Sequence, residues 1–200
     1  MTQQQPALDR RAVVARILRQ RDDSLVVASL GNPCYDLMAQ GDRPENFYLM
    51  GAMGGCAMLA LGLALAQPAR RVLALVGDGE LMMALGSLAT IAVQAPRNLS
   101  IVVIDNEHYA ETGMQAAHTG RGVDLVGVAR AAGIASARLV RTVDELDEAV
   151  PALIGRTADG LAFVNVKVGI EDSPPALPPR DGTFQRSRFR ENLLGAGAHA

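Results

Sequence analysis

RVLALVGDG, residues 71–79, and IVVIDNEHY, residues 101–109, are two short apolar runs that each stop abruptly on polar residues. The first ends in Gly77-Asp78-Gly79 and the second in Asp105-Asn106. From Asp78 to Asn106 the interval is 106 − 78 = 28 residues, room for one helix and a return strand. Such a unit puts both polar tips at the same edge of a parallel sheet.

The pattern extends outward in both directions. Residues 8–20 read as an amphipathic first helix, and 24–30, SLVVASL, as a buried strand broken at Gly31-Asn32-Pro33. A short helix is expected over 35–40. Residues 47–50 lead into a glycine-rich turn, Gly51-Ala52-Met53-Gly54-Gly55, which opens a helix running to about Gln67. Strands follow at 71–76, 99–104, 137–141 and 161–168. Helices follow at 80–94, 124–132 and 143–154, the last with Asp144 and Glu145 in its first turn, where the helix dipole favours negative charge. Strands that alternate with helices, several of them unbroken apolar runs, predict an α/β three-layer sandwich with a mainly parallel central sheet covered on both faces. Residues 1–170 form the expected single domain. Residues 171–200 form a proline-rich tail, expected to be extended and docked, since prolines cannot join a central strand.

Composition narrows the function classes. The chain has 200 residues, 49% of them hydrophobic, which is enough for one domain with a sizeable core. A net charge of −2 offers no basic footprint for nucleic acid. Cys34 and Cys56 form no CxxC pair for zinc or an iron–sulfur cluster, and two lone thiols suit a reducing cytoplasm. The start, MTQQQPALDRR, has no apolar stretch behind its charges, so no secretory signal is expected. Residues 49–66 are apolar over the length of a membrane span. Their glycines and their place before a strand argue instead for a helix buried in an oligomer or in the domain core. No GxGxxG follows the first strand and there is no P-loop lysine, which disfavours a nucleotide-binding Rossmann domain.

The strand tips carry the chemistry. Gly77 and Gly79 allow backbone to approach a phosphate closely, and the helix after them offers unpaired N–H groups. Asp78 would repel that phosphate unless a divalent cation sits between them, and the amide oxygen of Asn106 is a second hard ligand for it. Taken alone, GDG also reads as a helix-capping joint, Met53 as ordinary core, and His118 as a surface histidine.

The chain resembles the diphosphate-binding domain of the thiamine-diphosphate enzymes, in which a GDG motif is followed, after a gap of this size, by an Asn. It is most similar to the small β-type subunits of the sulfopyruvate and phosphonopyruvate decarboxylase group. The segments YLMGAMGGCAMLALGLALA, VLALVGDGELMMALGSLATIA and IVVIDNEHYAETGMQ carry the likeness, which spans residues 24–169. The resemblance implies thiamine diphosphate and Mg2+ as cofactors. It assigns the metal to Asp78, the side-chain oxygen of Asn106 and the main-chain carbonyl of His108. Gly77, Gly79 and Glu80 would line the diphosphate, the latter two through backbone N–H groups. Glu80 departs from the small or hydroxyl residues common there, and its side chain is expected to turn outward. Gly51 would accept a hydrogen bond from the cofactor's amine through its carbonyl, and Met53 would be the wedge that bends the cofactor. Gly31 and Asn32 are weaker phosphate candidates.

Beyond the metal turn lie Tyr109, Glu111, Thr112, Gln115 and His118, where a 2-oxo acid substrate would approach. His118 and Tyr109 are the candidates for proton transfer. Arg121 could meet a second anionic group on the substrate, although a solvent-facing arginine is the more natural reading. The family also needs a pyrimidine-binding domain bearing a glutamate. Only about 20 residues precede the first strand, so that domain is expected on a partner subunit in a hetero-oligomer. The alternatives are an acetolactate-type carboligase with the same cofactor, or a non-catalytic cofactor-binding subunit.

Overall fold

A computed structural model describes residues 7–155, 158–171 and 173–199. Its strands are β1 (Leu25–Ser29), β2 (Asn46–Leu49), β3 (Val72–Gly77), β4 (Leu99–Asp105), β5 (His108–Tyr109), β6 (Gln115–Ala116), β7 (Arg138–Val140) and β8 (Ala162–Lys167). Six of them form one sheet in the order β2-β1-β3-β4-β8-β7, and every neighbouring pair is parallel. β5 and β6 form a small antiparallel ribbon beside it. The helices are α1 (Arg10–Leu18), α2 (Asn32–Met38), α3 (Cys56–Ala66), α4 (Asp78–Met83), α5 (Ser87–Gln94), α6 (Leu125–Ala131), α7 (Val143–Leu153) and α8 (Gly182–Leu194).

Period-2 alternation along each strand feeds two cores. Leu73 and Leu75 of β3 join the cluster under α1, α2 and α7. Val72, Ala74 and Val76 join the cluster under α3, α4, α5, α6 and α8. Both faces of the central strands are thus dry, which is why their sequences read as continuous apolar runs.

The order of strands creates the site. From β1 the chain passes through α2 to β2 on one side, then returns through α3 to β3 on the other side of β1. The connections leaving β1 and β3 therefore run to opposite faces of the sheet and open a crevice at the strand ends, the usual place for a ligand in open α/β sheets.

Four local expectations change. Residues 80–94 are two helices, broken at Ala84–Gly86, with Gly86 standing where a helix interior disfavours it. Residues 46–49 are a strand, β2, whose partner is β1. The apolar stretch 49–66 divides into a strand end, a glycine turn and the helix α3, of 11 residues. The tail is not extended throughout. From Asp181, whose carboxylate caps Thr183 and Phe184, it forms α8. That helix lies over the sheet edge: Phe189 packs edge-on against Phe47 with ring centroids 5.3 Å apart, and the Gln185 amide oxygen accepts from the Tyr48 N–H at 3.3 Å. An otherwise open strand edge is covered in this way. No helix among the described residues is long and apolar enough to cross a membrane. Residues 1–6, where a secretory signal was sought, lie outside the described residues.

Candidate active site

The loops after β1, β3 and β4 meet in an open cleft. Leu30 to Pro33 line it from β1, Gly77 to Glu80 from β3, and Ile104, Asn106 and His108 from β4, with Met53, Tyr109 and Arg10 closing the sides. The 28-residue spacing does what the sequence implied. Gly77 and Ile104 are register partners, so Asp78 and Asn106 sit together at one edge.

Asp78 is 2% exposed and accepts a hydrogen bond from the Thr119 hydroxyl at 2.7 Å. No Lys, Arg or His pairs with it among the described residues. Burial, with the charge of Asp105 adding to it, pushes its carboxyl up to about 6. Asp105 differs: it is fully buried but held by Lys167 at 2.8 Å and by the Asn165 amide at 2.9 Å. Of the two neighbouring acids, one is neutralised inside the chain and the other has no cationic partner among the described residues.

The turn after β4 is held by its own hydrogen bonds. The Asn106 side-chain oxygen accepts from the His108 N–H at 3.1 Å, and His108 Nδ1 lies 2.9 Å from the Asn106 carbonyl. Between them Glu107 holds φ at +64°, a conformation that a side chain seldom adopts outside constrained turns. Its carboxylate reaches Lys167 at 2.6 Å.

Glu80 does not turn outward. Its side chain is buried, and Oε1 accepts from the N–H groups of Gly54 and Cys56, each at 3.1 Å. Glu80 thereby caps α3 from a distance, since its N-cap residue Gly55 has no side chain to do so. It ties the Met53 turn to the GDG turn. Gly54 has φ +89°, and a Cβ there would press on Met83 and Ala84.

The remaining candidates divide. Gly31, Asn32, Met53, Glu111 and Thr112 line the cleft, while Gly51, Gln115, His118 and Arg121 do not. The His118 Nδ1 is 3.3 Å from the Tyr109 hydroxyl, so the two proton-transfer candidates are brought together with only Tyr109 on the cleft wall. A Cβ on Gly79 would run into the Tyr109 ring, whereas one on Gly77 would meet open space. Thr119, Lys167 and the Arg10–Asp36 pair had no signal in the sequence, being far along the chain from the residues they meet.

The family described as "Thiamine pyrophosphate enzyme, C-terminal TPP binding domain" matches residues 33–166. The chain belongs to the thiamine pyrophosphate enzyme family. The sulfopyruvate decarboxylase subunit beta of Methanothermobacter thermautotrophicus is 40% identical over 190 residues, covering 94% of this chain and 97% of that one. The phosphonopyruvate decarboxylase of Streptomyces viridochromogenes is 35% identical over 162 residues, 80% of this chain but 40% of that one. The solved Rhodococcus jostii thiamine diphosphate-dependent 4-hydroxybenzoylformate decarboxylase superposes with a TM-score of 0.66 at 19% identity, over 86% of this chain and 34% of that one, a likeness of fold.

The residues present fit the thiamine pyrophosphate cofactor. The donor set is all oxygen, which suits a hard cation. The Asp78 carboxylate is desolvated without a cationic partner, and Gly77 leaves space where any Cβ would project. Among the described residues no cluster of three or more His, Cys, Asp or Glu side chains is placed to hold a metal ion.

Proposed function

We propose that this chain is the β-type subunit of a thiamine-diphosphate- and Mg2+-dependent decarboxylase acting on a three-carbon 2-oxo acid with a second anionic group, of the sulfopyruvate or phosphonopyruvate kind. The observation that carries it is Asp78 beside Asn106 at adjacent strand ends, in a chain that matches almost the whole length of a sulfopyruvate decarboxylase subunit beta. Asp78, Asn106 and the His108 carbonyl would hold Mg2+, and the backbone of Gly79 and Glu80 would meet the diphosphate. Met53 supplies the apolar wall for the cofactor rings. When bound, the cofactor supplies a nucleophilic carbon and an electron sink for loss of CO2. Tyr109, with His118 behind it, is placed to donate a proton on the substrate side.

The site needs a second chain. The glutamates beside the cleft are committed locally: Glu80 to the Gly54 and Cys56 N–H groups, Glu107 to Lys167, and Glu111 to the Tyr35 hydroxyl at 3.5 Å. None is left to protonate a pyrimidine, a role that falls to a pyrimidine-binding, α-type partner in a hetero-oligomer. Two free, buried cysteines suit a cytoplasmic setting. The test is decarboxylation of sulfopyruvate by the purified chain alone and after assembly with its partner. Activity with Mg2+ and thiamine diphosphate only in the assembled complex is expected. Full activity of the isolated chain would sink the two-subunit reading.

A further inference from the structure

We propose that Arg10 is an oxyanion anchor of the cleft, a guanidinium with one arm locked on Asp36 and its other edge held open for a tetrahedral phosphate, phosphonate or sulfonate group. This assignment rests on the reading of the site as a thiamine diphosphate decarboxylase centre.

Arg10 opens α1, and its side chain is 4% exposed although it stands on the cleft wall. A second cleft, bounded by Gly169 to Glu171 and the start of the proline-rich tail, shares Arg10, Asn32, Asn106, Ala110 and Glu111 with the first. Arg10 is thus a divider between two spaces and, among the described residues, the only Lys or Arg lining either. The other charges on the first cleft are the carboxylates of Asp78, Glu80 and Glu111. An anionic ligand entering it meets a single permanent cation.

The arginine is held as a ligand-binding guanidinium should be. Nη1 donates to Oδ1 of Asp36, a fully buried carboxylate. Arg11 Nε donates to the same oxygen at 3.2 Å, so two guanidinium groups share one charge and the trio stays net positive. Arg10 Nε and Nη2 have no partner among the described residues, and the residue lines the cleft. Those two nitrogens form one edge of the planar fork, the geometry that grips two oxygens of a tetrahedral anion. Arg71, at the opposite end of the sheet, has all three nitrogens bonded within the chain and no such edge to offer.

Two groups could supply the oxyanion, the terminal phosphate of the cofactor or the anionic group of the substrate, and one experiment separates them. The assembled complex with Mg2+ is titrated calorimetrically with thiamine diphosphate and thiamine monophosphate. After cofactor loading it is titrated with 3-sulfolactate and lactate, unreactive analogues with and without the extra anion. The variants are Arg10→Gln, which keeps a donor for Asp36 without the charge, and the double substitution R10M/D36L, which removes the buried pair as a unit so that no orphaned carboxylate unfolds the chain. A 10- to 100-fold weakening, of the order expected for losing a charge-assisted fork, is the supporting result. Confined to thiamine diphosphate it assigns the cofactor's phosphate; confined to 3-sulfolactate it assigns the substrate. Folded variants that bind both probes within twofold of the parent complex would overturn the Arg10 assignment alone. A parent complex that binds no thiamine diphosphate would overturn both this assignment and the proposed function.

Discussion

At the N-terminal ends of the strands, Arg71 is 7% exposed and donates to the carbonyls of Ala152, Leu153, Arg97 and Gly160 and to the Ser100 hydroxyl. At the C-terminal ends, Asp78 is buried more deeply and takes one side-chain hydrogen bond, from Thr119. Both edges bury an ionisable group beside a cleft. One group stitches four stretches of chain together and has nothing left over. The other is desolvated with its charge unanswered. A buried polar group that the chain satisfies holds the fold, whereas one in a cleft that the chain leaves short is a candidate for holding a ligand.

The comparison breaks most directly at Arg71. Arg71→Met orphans four carbonyls and is expected to lower the unfolding free energy by about 3–5 kcal/mol in denaturant titration. Cofactor affinity of the folded fraction should be unchanged, and a variant that loses cofactor but not stability would reverse the assignment of the two edges. Asp78→Asn is the mirror experiment. Calorimetry of the assembled complex should show thiamine diphosphate binding in Mg2+ weakened by about 100-fold, the loss of one charged ligand. The apo chain should melt no lower than the parent, because burial already disfavours the Asp78 carboxylate. A large fall in melting temperature would make Asp78 a structural residue like Arg71. The smallest effect is at Glu80. Glu80→Ala releases the Gly54 and Cys56 N–H groups and should cost about tenfold in cofactor affinity, read by the same titration. Glu80→Gln keeps the acceptor oxygen and should recover most of it; equal losses in the two variants would show that the charge, not the tether, matters.

What could be read in the sequence follows burial. β3 and β4 lie within a residue of their expected bounds because strands covered on both faces must be apolar without interruption, a pattern little else imitates. The glycines around Asp78 and the interval to Asn106 were legible for the same reason, since a strand's end and its return length are local properties. β2 was not legible. Asn46, Phe47, Tyr48 and Leu49 make an ordinary mixed stretch, and its register with Val26 to Ser29 makes it a strand. α8 escaped notice because only Gln185 and Phe189 of it are buried, too few to mark an apolar face. The inward direction of the Glu80 side chain is not legible in the sequence, because its partners are backbone N–H groups 24 and 26 residues away, which no residue pattern announces.

The sequence by itself determined the layered α/β sheet, the glycine turn around Asp78 and the Asp78–Asn106 pair, all set by short-range periodicity, glycine chemistry and one β–α–β span. The tertiary structure alone decided which charges are answered. It gave Asp105 a lysine and Asp78 none, turned Glu80 onto the Met53 loop, and carried Arg10 from the first helix to the cleft. Those outcomes depend on contacts between residues 24 to 62 positions apart, where desolvation and hydrogen-bond geometry, rather than local preference, determine the result.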